Sequence, residues 1–403
     1  MPTYQAATLT TGLSLNSWEF LFIAAAAILL CALIGNFKTR TFALLAVNIY
    51  VLTTFATTVA SFVTLGLFLV TVYMLGMWRK RPTTKFTLGV QLSIITALWV
   101  FLFLVRDNNL LAAANPFHYL PVAIIGISYM VFRCISFLME VEFIEKPGFA
   151  RFCAYVLFFP GLIAGPIERY RTFENQLAAP TYSPDHVMGA LHRIANGFIK
   201  KFVIADNLSV FGIFSLPDAG DVSTPLLWVG ALGQLWLIYM DFSGYCDIVI
   251  GVASLMGFRM MENFNQPFQS VTIQEFWNRW HISLSTLVKD YIFTPINMGI
   301  IKNVARKNQF ILITGTYFFS MILIALWHGT TWGFVAFGAL NGAALVITQM
   351  TKKYQTPLAA MSPVGISVRR FLVYAFVSIS LIFWMASPGE WGAIYAKMLG
   401  MGS

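Results

Sequence analysis

Long apolar runs separated by short basic interruptions occupy nearly the whole chain, and the runs have the length of membrane crossings. A helix needs about 20 mostly apolar residues to span the bilayer core. The pattern predicts crossings at residues 18–34, 86–105, 119–139, 224–240, 309–327, 332–349 and 371–385. The uncharged stretch 42–78 is long enough for two, with a break near 56–61. Other segments are apolar but interrupted. Residues 152–167 contain Pro160, Gly161, Gly165 and Pro166, which predicts a re-entrant or broken helix whose freed backbone groups are satisfied by protein or water. Residues 192–206, with Lys200 and Lys201, read as an amphipathic helix near an interface. Asp241 and Asp247 flank the small residues Ser243 and Gly244, predicting a turn between the run 224–240 and a further run 248–258. Such carboxylates are poor lipid-facing groups, so that segment is expected to face protein or water. Residues 287–300 carry Lys289 and Asp290 and are too polar for a lone span, which suits re-entrant or interfacial helices. The expectation is an all-α, polytopic protein with roughly ten or eleven membrane-spanning or re-entrant helices. Residues 1–403 read as a single membrane-embedded domain, without a soluble domain or an internal repeat.

Composition sharpens this reading. The 403 residues are 58% hydrophobic and only 11% charged, with mean hydropathy +0.72, against about 25% charged in soluble domains. The first apolar run follows an uncharged leader with no evident small-residue cleavage site, so it is expected to stay as a transmembrane helix. The basic groups Lys38 and Arg40; Arg79, Lys80, Arg81 and Lys85; Lys302, Arg306 and Lys307; and Lys352 and Lys353 fall on one face as the crossings alternate. The positive-inside rule makes that face cytoplasmic and leaves the N-terminus outside. The net charge of +9 is the ordinary sign of such loops, and it also suits a docking surface for an acidic partner. No nucleic-acid-binding motif is present. The four cysteines lack metal-ligand spacing, and buried free thiols are expected.

The densest chemistry lies in Gln274-Glu275-Phe276-Trp277-Asn278-Arg279-Trp280-His281-Ile282-Ser283-Leu284-Ser285. A second histidine, His328, ends an apolar run in Trp327-His328-Gly329. Burying such groups without partners costs several kcal/mol, so both stretches are functional candidates. A neutral imidazole with a reference pKa near 6.5 can act as general base, the role open to His328. It can equally cap a helix end. At about 1.5 Å per residue, the run from Gln309 carries His328 toward the outer leaflet unless tilt or a break returns it to the middle. If residues 275–285 form one helix, Trp277, Trp280, His281 and Leu284 share a face. His281 could then polarise a substrate group with Arg279 or Asn278 in support, or the face could be an aromatic interfacial belt. A metal site from His281, His328, Asp241 and Asp247 has no supporting spacing, and no metal is expected. Ser283, Ser285 and Cys246 lack the glycines of a nucleophile elbow. His118, His186 and His192 fall in loop-like or amphipathic settings and read as solvated.

These residues resemble the bacterial membrane-bound O-acyltransferases, a family that includes the alginate O-acetylation protein and the D-alanyl transferase of teichoic acid modification. The resemblance is carried by Gly126-Ile127-Ser128-Tyr129, Gly165-Pro166-Ile167-Glu168-Arg169, Asp241-Phe242-Ser243-Gly244-Tyr245, Glu262-Asn263-Phe264, the stretch around His281 and Trp327-His328-Gly329, in order over about residues 120–345. It implies helices around a central funnel or tunnel, with His328 as the essential histidine and His281 as its companion. It also implies a substrate site drawn from Trp277, Asn278, Arg279, Trp280, Ser285, Asp241 and Trp327. The implied reaction moves an acyl group, acetyl or D-alanyl, from a cytoplasmic thioester to hydroxyls of an envelope polysaccharide or an acceptor protein. The donor would be a phosphopantetheine carrier protein or coenzyme A, with no tightly bound cofactor, and the acceptor side would be a glycan or a partner transferase. The implied location is the bacterial cytoplasmic (inner) membrane. Asp241–Asp247 and Glu262–Phe268 look more like the acetylating members. Phe132-Arg133, the modest length and the lack of a Pro-Leu-Gly-Gly-Asn run after Pro295 look more like the D-alanyl branch, so both stay open. A transporter or flippase of an acylated precursor also places polar groups inside helices, and it should tolerate His328→Gln far better than an enzyme would.

Overall fold

The computed structural model describes residues 14–55, 58–81, 87–106, 124–209, 222–354 and 361–401. Lys85, His118 and residues 119–123 lie outside them. The described residues are helical with no strand; one isolated bridge pairs Phe264 with Trp280. Among the described residues six helices are long and apolar enough to cross a membrane: Val59–Arg79, Leu88–Arg106, Thr224–Leu255, Arg306–His328, Trp332–Tyr354 and Pro363–Trp384. The chain divides into two compact units, Met1–Asn196 with Cys246–Met261, and Gly197–Tyr245 with Glu262–Ser403.

The first unit begins with α1 (Trp18–Leu33), α2 (Phe37–Phe55), α3 (Val59–Arg79) and α4 (Leu88–Arg106). The expected break in the stretch 42–78 falls between α2 and α3, where Thr58 caps α3 by accepting from Ser61 N at 3.2 Å. Within the crossing predicted at 119–139, the described residues form α5 (Ile127–Glu140), fourteen residues buried nearly all round and therefore a core helix. The interrupted run is broken as expected: α6 (Phe149–Val156) gives way to a 3-10 turn, Phe159–Gly161, before α7 (Tyr170–Ala178). Buried Arg133 stabilises the break, with Nη1 donating to the carbonyls of Val156 and Phe158 (both 3.0 Å) and Nη2 to Gly161 O (2.6 Å). Asn48 supports the same break, donating to Ala154 O (3.0 Å) and accepting from Phe159 N (3.1 Å). Arg40 is likewise buried and donates to the carbonyls of Ile34 (3.0 Å) and Leu177 (2.8 Å). Two of the basic residues of this unit are thus backbone clamps rather than free loop charge.

In the amphipathic region α8 (Pro184–Phe198) runs through a π-helical stretch, Ile199–Ala205, into one last turn, α9 (Asp206–Leu208). The next element, α10, is one continuous helix over Thr224–Leu255, and this corrects the turn expected around Ser243-Gly244. At about 1.5 Å per residue it is some 48 Å long, well beyond the bilayer core of about 30 Å. Small residues here make room for close packing instead of a turn. A Cβ on Gly244 would lie 2.7 Å from Lys201 N and 2.9 Å from Gly197 O. Both aspartates are neutralised, Asp241 by Lys201 and Asp247 by Arg193 at 3.0 Å.

The second unit continues through α11 (Ile273–Arg279), α12 (Ile282–Val288), α13 (Thr294–Asn303), α14 (Arg306–His328), α15 (Trp332–Thr351), α16 (Pro363–Met385) and α17 (Trp391–Met398). Its core joins Leu235 of α10, Phe276 and Trp280, Ala325 of α14, Phe337 of α15 and Val377 of α16. Lipid offers no hydrophobic drive between helices, so small residues and interhelical hydrogen bonds carry the packing. Asn341, fully buried on α15, donates to Ser380 Oγ of α16 at 3.2 Å. Gly338 of α15 lies against α14, where a Cβ would fall 2.8 Å from Ala325 Cβ and 3.0 Å from Met321 O. Gly338→Val is expected to remove about 1–3 kcal/mol of stability through overpacking, read as loss of the monodisperse peak in detergent. Gly315→Ala, with open space around the new methyl, should leave that peak unchanged.

Candidate functional site

The stretch around His281 is built by a cap, an ion pair and a backbone bridge. Thr272 opens α11 by accepting from Glu275 N (3.1 Å), and Glu275 Oε2 accepts from Val271 N (3.0 Å). The same carboxylate holds Arg279, whose Nη2 and Nε lie 2.8 and 3.1 Å from Oε1, while Nη1 donates to Asn265 O at 3.1 Å. The chain then leaves the helix. Asn265 N donates to Arg279 O (3.0 Å) and Ile282 N to Asn263 O (2.9 Å), forming the antiparallel bridge of Phe264 with Trp280. Buried Ser283 donates through Oγ to Asn263 Oδ1 at 2.6 Å. The single helix considered for residues 275–285 is therefore two short ones, because the 263–265 segment captures backbone groups at 279–282 that a continuous helix would use. His281 stands at the break with φ 47° and ψ 51°. That left-handed conformation costs a non-glycine residue about 1–2 kcal/mol, and the bridge on either side holds it.

The left-handed turn directs the His281 ring inward. It is 5% exposed and packs on Phe242 of α10 (centroids 4.9 Å apart) and on Trp327 of α14 (5.9 Å). Neither ring nitrogen makes a hydrogen bond to another residue. Burial pushes the imidazole down to about 4, so it is neutral at cellular pH. His328 is the last residue of α14 and is half-buried. Its ring lies 4.3 Å from that of Trp327 and 4.3 Å from that of Trp384 on α16. One indole, Trp327, thus touches both imidazoles. Gly329 permits this crowding, since a Cβ there would sit 2.0 Å from the Phe334 ring.

The other candidates divide into two groups. Trp277, Trp280 and Trp327 belong to the aromatic packing: Trp327 touches both imidazoles, Trp280 stacks on Phe276 at 5.4 Å, and Trp277 meets Phe337, which in turn meets Trp384. The Trp277 Nε1 donor is buried without a hydrogen bond to protein. Polar candidates are engaged or outward. Arg279 is held by Glu275 and Asn265, Asp241 by Lys201, and Ser285 Oγ by the Trp280 carbonyl at 3.4 Å. Asn278 is exposed. Arg279→Ala is expected to remove about 1 kcal/mol of stability, given the partly exposed pair, read as a lower thermal midpoint of the purified protein, with KM for substrate little changed.

Among the described residues no three His, Cys, Asp or Glu side chains converge as metal ligands. The four cysteines are buried free thiols. His192 is exposed, and half-buried His186 lies beside Arg259 at 3.4 Å. Three residues of the site escaped the sequence reading: Phe242, Phe334 and Trp384. Phe242 sat inside a motif read for its aspartates, and Trp384 gave no signal beyond being an aromatic residue in an apolar run.

The sequence model described as MBOAT, membrane-bound O-acyltransferase family, matches residues 21–387. The probable alginate O-acetylase AlgI of Azotobacter vinelandii is 41% identical over 230 residues, covering 55% of this chain and 44% of that protein. Its namesake from Pseudomonas putida is 37% identical over 286 residues, 67% of this chain and 56% of that one. The teichoic acid D-alanyltransferase of Bacillus subtilis is 30% identical over 263 residues, 63% of this chain and 66% of that one. This chain spans about half the length of the alginate-related relatives.

Proposed function

Because this chain belongs to the membrane-bound O-acyltransferase family, we propose that it esterifies a hydroxyl outside the bacterial cytoplasmic membrane with an acyl group drawn from a thioester on the cytoplasmic side. The observation that carries the reading is the pair of histidines joined through Trp327, one half-buried and one enclosed. Their different environments suit different work. His328 takes the proton of the acceptor hydroxyl as its oxygen attacks the thioester carbonyl. A C–O bond forms, the C–S bond breaks, and the proton passes on to the departing thiolate. His281, held neutral by burial, offers an N–H to the oxygen on which charge develops. A donor preorganised in a dry site needs no reorganisation as the reaction proceeds. Trp327, which touches both rings, and Trp384, which touches His328, exclude water there, and buried Trp277 Nε1 is a further donor toward the acyl substrate.

The acyl group proposed is acetyl, on the strength of greater identity to the alginate O-acetylases than to the D-alanyltransferase. The acceptor is an envelope glycan or an intermediary transferase. The donor is coenzyme A or an acidic phosphopantetheine carrier, attracted by the basic loops. The test is to supply membrane vesicles containing the protein with radiolabelled acetyl or D-alanyl thioester, on coenzyme A or on a carrier, and to follow base-labile label on the acceptor. Label from the acetyl donor supports the reading as stated, and label from the D-alanyl donor alone assigns the other branch. Transport of a preformed acylated precursor without thioester consumption would overturn it.

A further inference from the structure

The left-handed turn points the His281 imidazole inward, and packing holds the ring there, since among the described residues neither nitrogen is hydrogen-bonded to another residue. Whatever fixes Phe242, whose ring lies 4.9 Å from it, therefore helps to fix the imidazole. Phe242 is bracketed on α10 by two contacts with the π-helical stretch Ile199–Ala205. On one side Asp241 forms an ion pair with Lys201; on the other Gly244 lies directly on the backbone at Gly197 and Lys201. Lys201 also approaches Asp206 at 3.4 Å, but that carboxylate is the more exposed, with its side chain at 48% against 33% for Asp241. Two further features single out this clamp. Ionisable groups within an apolar span are kept only when paired, and they mark functional segments; Asp241 lies in the span Thr224–Leu255. Helices of the π type are rare and concentrate at functional sites.

We propose that Lys201 is a positioning residue for acyl transfer: its ion pair with Asp241 sets the register of α10 and so holds Phe242 against His281. The inference rests on the acyltransferase reading above, and it gives Asp241 a supporting role in place of substrate contact. A displacement of about 1 Å at a reacting group can cost 10²-fold in rate. Lys201→Met, which keeps length and removes charge, should lower kcat roughly 10- to 10²-fold at unchanged KM for the thioester. Lys201→Arg should restore most of it. Phe242→Leu should give a similar loss, and the double variant should lose no more than the worse single one, because both act through the same ring. Gly244→Ala, which forces the helix off the π backbone, gives a second route to the same phenotype if Lys201→Met folds poorly.

A readout independent of acyl transfer separates this inference from the functional reading. Diethyl pyrocarbonate labelling of His281, followed by peptide mass spectrometry, should be slow in the native protein and several-fold faster in Lys201→Met, with labelling of exposed His192 unchanged. Multiplied losses in the double variant, or unchanged His281 labelling, would overturn the proposal. Absence of acyl transfer in the native protein with the expected labelling shift would overturn the reaction and keep the positioning.

Discussion

Replacing His328 with alanine is expected to lower acyl transfer by about 10²–10⁴-fold, the usual worth of a general base, while folded protein persists in the membrane. The site favours that separation of effects. His328 is half-buried at the end of α14, so truncation opens space at a helix terminus and leaves no uncompensated charge in the core. His328→Gln, which retains bulk and hydrogen bonding but cannot hold the proton, should be as inactive. The comparison also separates enzyme from transporter, because a conduit lined by polar groups should accept glutamine. Initial rates at equal amounts of monodisperse protein give the answer, and wild-type rates in both variants would remove His328 from the chemistry.

His281→Asn carries the second large expectation. Asparagine tolerates the left-handed backbone better than most residues, so the bridge of Phe264 with Trp280 and the start of α12 should survive. What disappears is the enclosed imidazole. Loss of one preorganised donor to an oxyanion costs about 10²–10³-fold in rate, and that fall is expected in kcat. Its pH dependence distinguishes this role from that of a base. Burial holds His281 down to about 4, so the group is already neutral through the physiological range. The variant should therefore keep the shape of the wild-type pH–rate profile above about pH 5, with only its height reduced. An acid limb that vanished in His281→Asn would show that this imidazole titrates during turnover and acts as the base.

Much of the fold was legible because lipid imposes simple rules. The division of the stretch 42–78, the break at Pro160 and the last span all follow from length, apolarity and helix-breaking residues, whereas the first predicted crossing is the shorter apolar helix Trp18–Leu33. Failures came where tertiary contacts override local pattern. Ser243-Gly244 reads as a turn until the helix packed against it is seen, and only then does small size mean close approach. Arg40 counts as a loop cation in any tally of charge, yet its donors are spent on the carbonyls of Ile34 and Leu177. Arg279 looks poised for substrate in the sequence, whereas Glu275 one turn earlier and the Asn265 carbonyl hold it. Both histidines could be named from their motifs. Their different environments could not, because the left-handed turn at His281 is imposed by the 263–265 segment and not by its own neighbours.

The most direct test is chemical and needs no assumption about donor or acceptor. Cell envelopes from strains expressing native protein or His328→Ala at matched membrane abundance are treated with mild base, and the released acids are identified by mass spectrometry. One short acid, acetate on the reading favoured here, is expected to be released from the native sample and to fall to background in the variant. Equal release from both would contradict it and leave His328 a structural residue at the end of α14.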